Sequence, residues 1–157
     1  ETFMPQNAKA NRDQVIAGLE KAVANTYALL IKTHNYHWNV VGPNFFGLHS
    51  LLETQYKDLF AATDELAERL RALGCPAPGG LKAFADLTSI PDAPDTPKDA
   101  QAMVQDLVDS RRKMLEDENK LLSAAEEADD QVTVDMITGR IGQNEKDIWM
   151  LRSVLGK

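Results

Sequence analysis

Residues 33–53, THNYHWNVVGPNFFGLHSLLE, decide the fold because one helical pattern ends within them and another begins. The Gly-Pro-Asn sequence at residues 42–44 breaks the first helix, and its asparagine is placed to cap the second. His37 and His49 each lie six residues from Pro43, and equal distances from the turn of an antiparallel hairpin put side chains at the same level. The stretch therefore predicts a helical hairpin on which these two histidines face each other.

Apolar residues at alternating spacings of three and four predict a long helix on each side of this turn. The first helix runs from Asn11 to about Trp38 or Val40, and the second runs from Phe45 to a stop at Gly74. The apolar seam of the first comprises Ile16, Leu19, Val23, Thr26 and Leu30; that of the second comprises Phe45, His49, Leu52, Tyr56, Leu59, Thr63, Leu66, Leu70 and Leu73.

A proline-rich stretch, residues 75–96, is too long for a tight turn and predicts a crossover that carries a short helix at residues 81–87. The sequence TPKD at residues 96–99 then opens a third helix, with a capping hydroxyl and a proline at the first helical position. Its seam comprises Met103, Leu107, Met114 and Leu121. A fourth helix follows residues 129–130 and ends near Leu155, although two glycines weaken its pattern.

Four long helices with short outer links and one long middle connection predict an all-α, ferritin-like four-helix bundle with a crossover. The length of 157 residues suits one domain, residues 1–157, with a flexible N-terminal segment at residues 1–10. A net charge of -7 disfavours nucleic-acid partners, and no apolar run approaches the roughly 20 residues that span a bilayer. The single cysteine, Cys75, and the lack of a basic, apolar leader favour a cytoplasmic location.

Imidazole and carboxylate side chains gather beside the turn in a combination that suits a divalent ion such as iron(II) or zinc. Glu53 follows His49 at i, i+4 and so lies on the same face of the second helix. An ordinary polar role stays open for His37 and His49, and Glu53 alone would be a solvated acid. His34 shares a face with Trp38 and is interpreted as a satisfied polar residue rather than a ligand.

A second acidic pair, Asp64 and Glu68, lies further along the second helix, again at i, i+4. It is 11 to 19 residues from His49 and Glu53, which is about 16 to 28 Å along a helix. The two pairs therefore cannot share an ion within one chain. Two copies of this helix that cross antiparallel near residues 58 and 59 bring His49 and Glu53 opposite Asp64 and Glu68, twice in a two-fold dimer. Di-iron bundles carry Glu-x-x-His inside one subunit, but here the residue three before His49 is a phenylalanine. We therefore expect any metal to bind between chains.

These motifs resemble the Dps family, the miniferritins that protect DNA during starvation. The resemblance runs through KTHNYHWNVVGPNFFGLH (32–49), Glu53, DELAERLRALG (64–74) and, more weakly, KDIWMLRSVLG (146–156). It implies a homo-oligomer, a hollow dodecamer built from two-fold dimers. Such a shell oxidises iron(II), preferably with hydrogen peroxide, stores ferric iron inside and protects the cell from oxidative damage.

The resemblance implies that the ferroxidase ligands are His37, His49 and Glu53 of one subunit, with Asp64 and Glu68 of its two-fold mate. The family commonly carries aspartate where this chain has Glu53, which leaves occupancy of the second iron position open. Zinc or other divalent ions are expected to compete for such a site.

The acidic stretch EEADDQVTVD, residues 126–135, lies where the resemblance implies three-fold pores. Asp130 and Asp135 are candidate metal-binding residues that draw iron(II) inward, although acids that favour a helix N-terminus explain them equally well. Trp38 is open between intercepting stray oxidising equivalents and filling the core.

Two other functions stay open, a non-catalytic metal-binding cage and a DNA-compacting protein. Direct DNA binding is not expected, because the leading segment carries Lys9 and Arg12 against Glu1 rather than a strongly basic tail. A membrane partner is not expected either.

Overall fold

The long helices form an antiparallel bundle in a computed structural model that describes residues 6–157. The described part contains helices and no strand, as the predicted all-α fold requires. Its elements are α1 (Gln6–Asn39), α2 (Phe45–Ala72), α3 (Leu81–Leu87), α4 (Ala100–Glu127) and α5 (Gln131–Val154). Within residues 6–157, no helix combines the length and apolarity needed to cross a membrane.

Two apolar clusters fill the bundle, one towards each end. The cluster near the α1–α2 turn is built around Leu29, Leu52 and Leu107, and that at the opposite end around Leu19 and Leu70. α1 packs on both α2 and α4, and α4 packs on α5. The four seam residues predicted for the third helix are all buried in these clusters.

The turn between α1 and α2 depends on Gly42, whose φ of 119° lies in the left-handed region that favours glycine. The amide of Phe45 donates to the carbonyl of Gly42 at 3.1 Å and closes the turn. Asn44 occupies the N-cap position of α2, but its side chain makes no capping hydrogen bond. The predicted cap is therefore right in position and wrong in contact.

Two helix starts differ from the sequence prediction. α1 begins at Gln6, so residues 6–10 of the segment predicted to be flexible are helical, while residues 1–5 lie outside the described part. α4 is capped by Asp99 rather than Thr96, since the Asp99 carboxylate accepts from the amide of Ala102 at 2.8 Å. This nearer carboxylate satisfies a free helix-end amide and leaves Pro97 before the helix.

The predicted crossover and its short helix α3 are confirmed. Asn25 of α1 holds the two residues that follow α3. The Asn25 side-chain oxygen accepts from the Thr88 hydroxyl and from the Ser89 amide, both at 2.8 Å. Its amide nitrogen donates to Asp117 of α4 at 2.9 Å. One buried asparagine thus ties the crossover to two helices.

Candidate metal centre

His37 and His49 meet across the α1–α2 hairpin, as their equal distances from the turn predict. Their rings stack with centroids 3.8 Å apart and planes 13° from parallel. His37 is buried, with 6% of its surface exposed, and His49 is half-buried. Neighbouring helices therefore hold two imidazoles side by side at the edge of the bundle.

The two rings are oriented by reciprocal hydrogen bonds to the backbone. Nδ1 of His37 lies 2.7 Å from the carbonyl oxygen of His49, and Nδ1 of His49 lies 2.8 Å from that of His37. Because a carbonyl oxygen only accepts, each Nδ1 is the donor, which leaves Nε2 as the nitrogen that can bind a metal ion. A backbone bond on the far nitrogen is the usual way to fix a metal-binding histidine. Both rings are thus prepared as Nε2 ligands.

Glu53 is the third residue of a candidate half-site that also comprises His37 and His49. It lies one turn after His49 on α2, and its Oε1 is 3.2 Å from Nζ of Lys57 and 3.5 Å from the Tyr56 hydroxyl. The hydrogen bond and charge of Lys57 lower the pKa of Glu53. The carboxylate is therefore ionised and already paired with a cation.

Aromatic rings surround this half-site on its outer side. His34 lies between the Trp38 ring, at 3.8 Å between centroids, and the Tyr56 ring, at 4.4 Å. Burial, followed by the nearby His37, lowers the pKa of His34. Trp38 is 64% exposed, so it is a surface aromatic and the core reading of this residue is wrong.

Asp64 and Glu68 lie on the exposed surface of α2, in its C-terminal half. Nowhere in residues 6–157 do three or more His, Cys, Asp or Glu side chains come close enough together to hold a metal ion. Within the described residues, the candidate ligands therefore lie in two separate groups: His37 with His49 and Glu53 at the hairpin, and Asp64 with Glu68 further along α2.

Known proteins share both this sequence and this fold. The ferritin-like domain family matches residues 16–157. The chain is 36% identical over 144 residues to DNA protection during starvation protein 2 of Bacillus anthracis, a match that covers 92% of this chain and 98% of that protein. The crystal structure of Dps from Staphylococcus aureus superposes with a TM-score of 0.89 at 33% identity, covering 92% of this chain and 96% of that one.

The chain belongs to the Dps family of ferritin-like proteins. A further Dps structure, from Vibrio cholerae, is described as a member of a broad superfamily of ferritin-like diiron-carboxylate proteins; it matches with a TM-score of 0.88 at 29% identity and covers 99% of both chains. The predicted family and bundle topology are confirmed, and the family associates this Dps protein with iron storage and stress protection.

The two acidic residues predicted to bind metal at the α4–α5 junction, Asp130 and Asp135, differ in their contacts. Asp130 caps α5 by accepting from the Thr133 amide at 3.1 Å, and it pairs with Arg69 at 2.7 Å. Burial alone would raise the pKa of Asp130, but the Thr133 hydrogen bonds and the Arg69 charge together lower it. Asp135 is exposed and accepts from Gln131 at 3.0 Å. These contacts favour a helix-capping role for Asp130 and leave Asp135 facing solvent.

A buried polar cluster that the sequence patterns do not predict lies at mid-bundle; it consists of Gln55, Arg111, Glu118, Asn144 and Asp147. Nη1 of Arg111 donates to Asn144 at 2.6 Å and lies 3.1 Å from Asp147, while Nη2 lies 3.3 Å from Gln55. The Asn144 amide lies 2.8 Å from both oxygens of Glu118. Every member is buried in the core. The paired guanidinium of Arg111 thus occupies the bundle centre, where di-iron bundles hold their metal ions.

Burial controls the charge of this cluster. It raises the pKa of Glu118 to about 7, despite the Asn144 hydrogen bond and the charges of Arg140 and Arg111. It also raises the pKa of Asp147, against the attraction of Arg111. Glu118 therefore titrates near neutral pH inside the Dps bundle.

Proposed function

We propose that the assembled protein oxidises iron(II), preferably with hydrogen peroxide, at sites shared by two chains, and stores ferric iron inside a hollow dodecamer. The observation that carries this proposal is the oriented imidazole pair of His37 and His49 with Glu53 beside it. The Dps family supports iron as the substrate, because its members include a structure described as a ferritin-like diiron-carboxylate protein.

A two-fold dimer would complete the coordination shell. Two α2 helices that cross antiparallel near residues 58 and 59 put the exposed Asp64 and Glu68 of one copy against the half-site of the other. Nitrogen and carboxylate ligands together suit iron(II), and they also admit zinc as a competitor. His49 and Glu53 are separated along α2 from Asp64 and Glu68, and this separation is the spacing that such a dimer requires.

The five ligands would divide between two iron positions. Asp64 and Glu68 of the second copy, with His37, would hold the firmer ion, while His49 and Glu53 reach the other ion or a bridging water. Each ferrous ion gives one electron to hydrogen peroxide, which takes up two protons and becomes two waters. Delivery of both electrons in one event avoids release of hydroxyl radical. Trp38, exposed beside the site, would intercept stray oxidising equivalents.

Negative potential at the α4–α5 junction would draw iron(II) inward. Asp135 supports this proposal better than Asp130, because Asp130 is held by Arg69 and Thr133. Both remain candidate metal-binding residues of the three-fold pore.

Subunit complementation tests the shared site. A His37→Ala chain and an Asp64→Ala chain, each assembled alone, should lose rapid ferric absorbance when iron(II) and peroxide are mixed without oxygen. In a co-expressed mixture, half the dimers combine both chains, and each of these holds one intact site. We therefore expect roughly a quarter of the wild-type rate to return.

Two results would contradict the proposal. A doubly substituted His37→Ala, Asp64→Ala protein that oxidises iron as fast as wild type would exclude the ferroxidase assignment. Zinc or iron binding without turnover in the wild-type protein would instead indicate the non-catalytic cage. Plasmid retention in a gel at low salt checks the expectation that the protein does not bind DNA directly.

A further inference from the structure

Lys57 lies where it competes with a metal ion for Glu53. Its ammonium is 3.2 Å from Oε1 of Glu53, and the two residues are one helical turn apart on α2. Glutamate followed by lysine at i, i+4 is the favourable order for such a pair. The ammonium therefore lies on the same carboxylate that the shared site needs for its second ion.

We propose that Lys57 sets the number of metal ions at the shared site, by keeping the position beside His49 and Glu53 empty until a second iron(II) displaces the ammonium. This inference rests on the proposed function, since it concerns the filling of that same site. Lys57 is a positioning residue that acts through Glu53. Loading is sequential, with one ion held at rest and the second taken up for reaction.

The charge count supports one resident ion. Two neutral imidazoles and three carboxylates carry three negative charges, and Lys57 reduces them to two, which one divalent ion balances. Without Lys57, two divalent ions face three negative charges, and one bridging hydroxide balances the remainder. A positive group beside the second position also repels an incoming cation directly.

The pair is weak enough to open. The side chains of Lys57 and Glu53 are 67% and 44% exposed in one chain, where solvent screens their attraction. A divalent ion bound by both His49 and Glu53 can therefore displace the ammonium, which has only this exposed carboxylate as its partner. In the proposed dimer, Lys57 lies beside the crossing point of the two α2 helices, and reduced solvent there strengthens its effect.

The structure also explains why glutamate at position 53 matters. The resemblance implies aspartate at this position, and aspartate is one methylene shorter. The longer Glu53 side chain reaches Lys57 and the Tyr56 hydroxyl with the same oxygen.

Zinc is a suitable probe because it binds the same ligand types without redox chemistry. Calorimetric titration of the assembled wild-type protein should give one tight and one weaker zinc ion per shared site, and His37→Ala should lose the tight one. Lys57→Met should tighten the weaker ion roughly tenfold. Lys57→Arg should restore the wild-type pattern, since it keeps the charge. Lys120→Met is the matched control. It also removes one exposed lysine, but from α4, whose packing partners are α1 and α5 rather than the helix that carries Glu53.

The outcomes separate the two proposals. Two tight zinc ions in wild type, an unchanged weaker ion in Lys57→Met, or the same gain in Lys120→Met would overturn the role of Lys57 and leave the shared site standing. Zinc binding that neither His37→Ala nor Asp64→Ala reduces would overturn the shared site, and the role of Lys57 with it.

Discussion

The guanidinium of Arg111 and the carboxylate of Asp147 lie 3.1 Å apart in the core, with their side chains 0% and 5% exposed. Removing one partner of such a pair leaves an uncompensated buried charge, which costs far more than the pair contributes. We expect Arg111→Met to lower the free energy of unfolding by about 3 to 5 kcal/mol. Urea unfolding at one fixed protein concentration measures the change.

A double variant separates loss of charge balance from loss of packing. Arg111→Met with Asp147→Leu should be more stable than Arg111→Met alone, since no lone aspartate remains in the core. If the two changes simply add, Arg111 and Asp147 do not interact, and the cluster is not coupled as described.

Glu118 makes stability depend on pH. Its pKa is about 7 in the folded protein against an ordinary value of 4.5, so between these values only the folded state keeps the proton. The contribution of Glu118 to stability is therefore fully present below the unfolded pKa and is lost as pH rises towards about 7, by up to about 3 kcal/mol. Glu118→Gln should remove this fall and be the more stable protein at pH 8. Glu116→Gln, an exposed acid on the same helix, should keep the wild-type pH profile.

Asn25 should control the order of the crossover. Asn25→Ala removes the acceptor of Thr88 and Ser89 and the donor to Asp117, so we expect a loss of about 2 kcal/mol. In this variant, hydrogen exchange at the Ser89 amide should accelerate under conditions in which the rest of the protein stays folded. Asn119→Ala removes only an exposed side-chain bond to the Leu115 carbonyl and serves as the control. Unchanged exchange at Ser89 would show that other contacts hold the crossover.

Phe60 should stabilise the dimer. It is 67% exposed on α2, next to the proposed crossing at residues 58 and 59. Phe60→Asp should therefore give particles of lower mass in light scattering while the helix content stays the same. Phe60→Leu keeps an apolar side chain and should assemble. Normal assembly of Phe60→Asp would place the dimer contact elsewhere.

The helices and the histidine pair could be predicted because both depend on local spacing. Apolar periodicity gives the four long helices, and equal distances from Pro43 bring His37 to His49. The N-cap of α4 lies three residues after the predicted one. Thr96 and Asp99 both suit a cap, and only the contact of Asp99 with Ala102 distinguishes them.

The polar cluster was not predicted because charged residues are normally assigned to the surface. A signal was nevertheless present in α4. Arg111 and Glu118 continue the apolar seam of Leu107, Met114 and Leu121 at spacings of four and three. Their partners come from α2 and α5, far away in sequence, so spacing within one helix cannot identify them.

The polar residues at mid-bundle restrict how α5 aligns along α4. Stripes of leucine and alanine tolerate a slide of one turn, about 5.4 Å, because one aliphatic side chain replaces another. A slide of α5 along α4 would instead break the hydrogen bonds of Asn144 with Arg111 and with Glu118 and leave buried polar groups without partners. Only one axial alignment avoids that penalty. The polar cluster therefore fixes the position of α5 along α4, although two glycines weaken the apolar seam of α5.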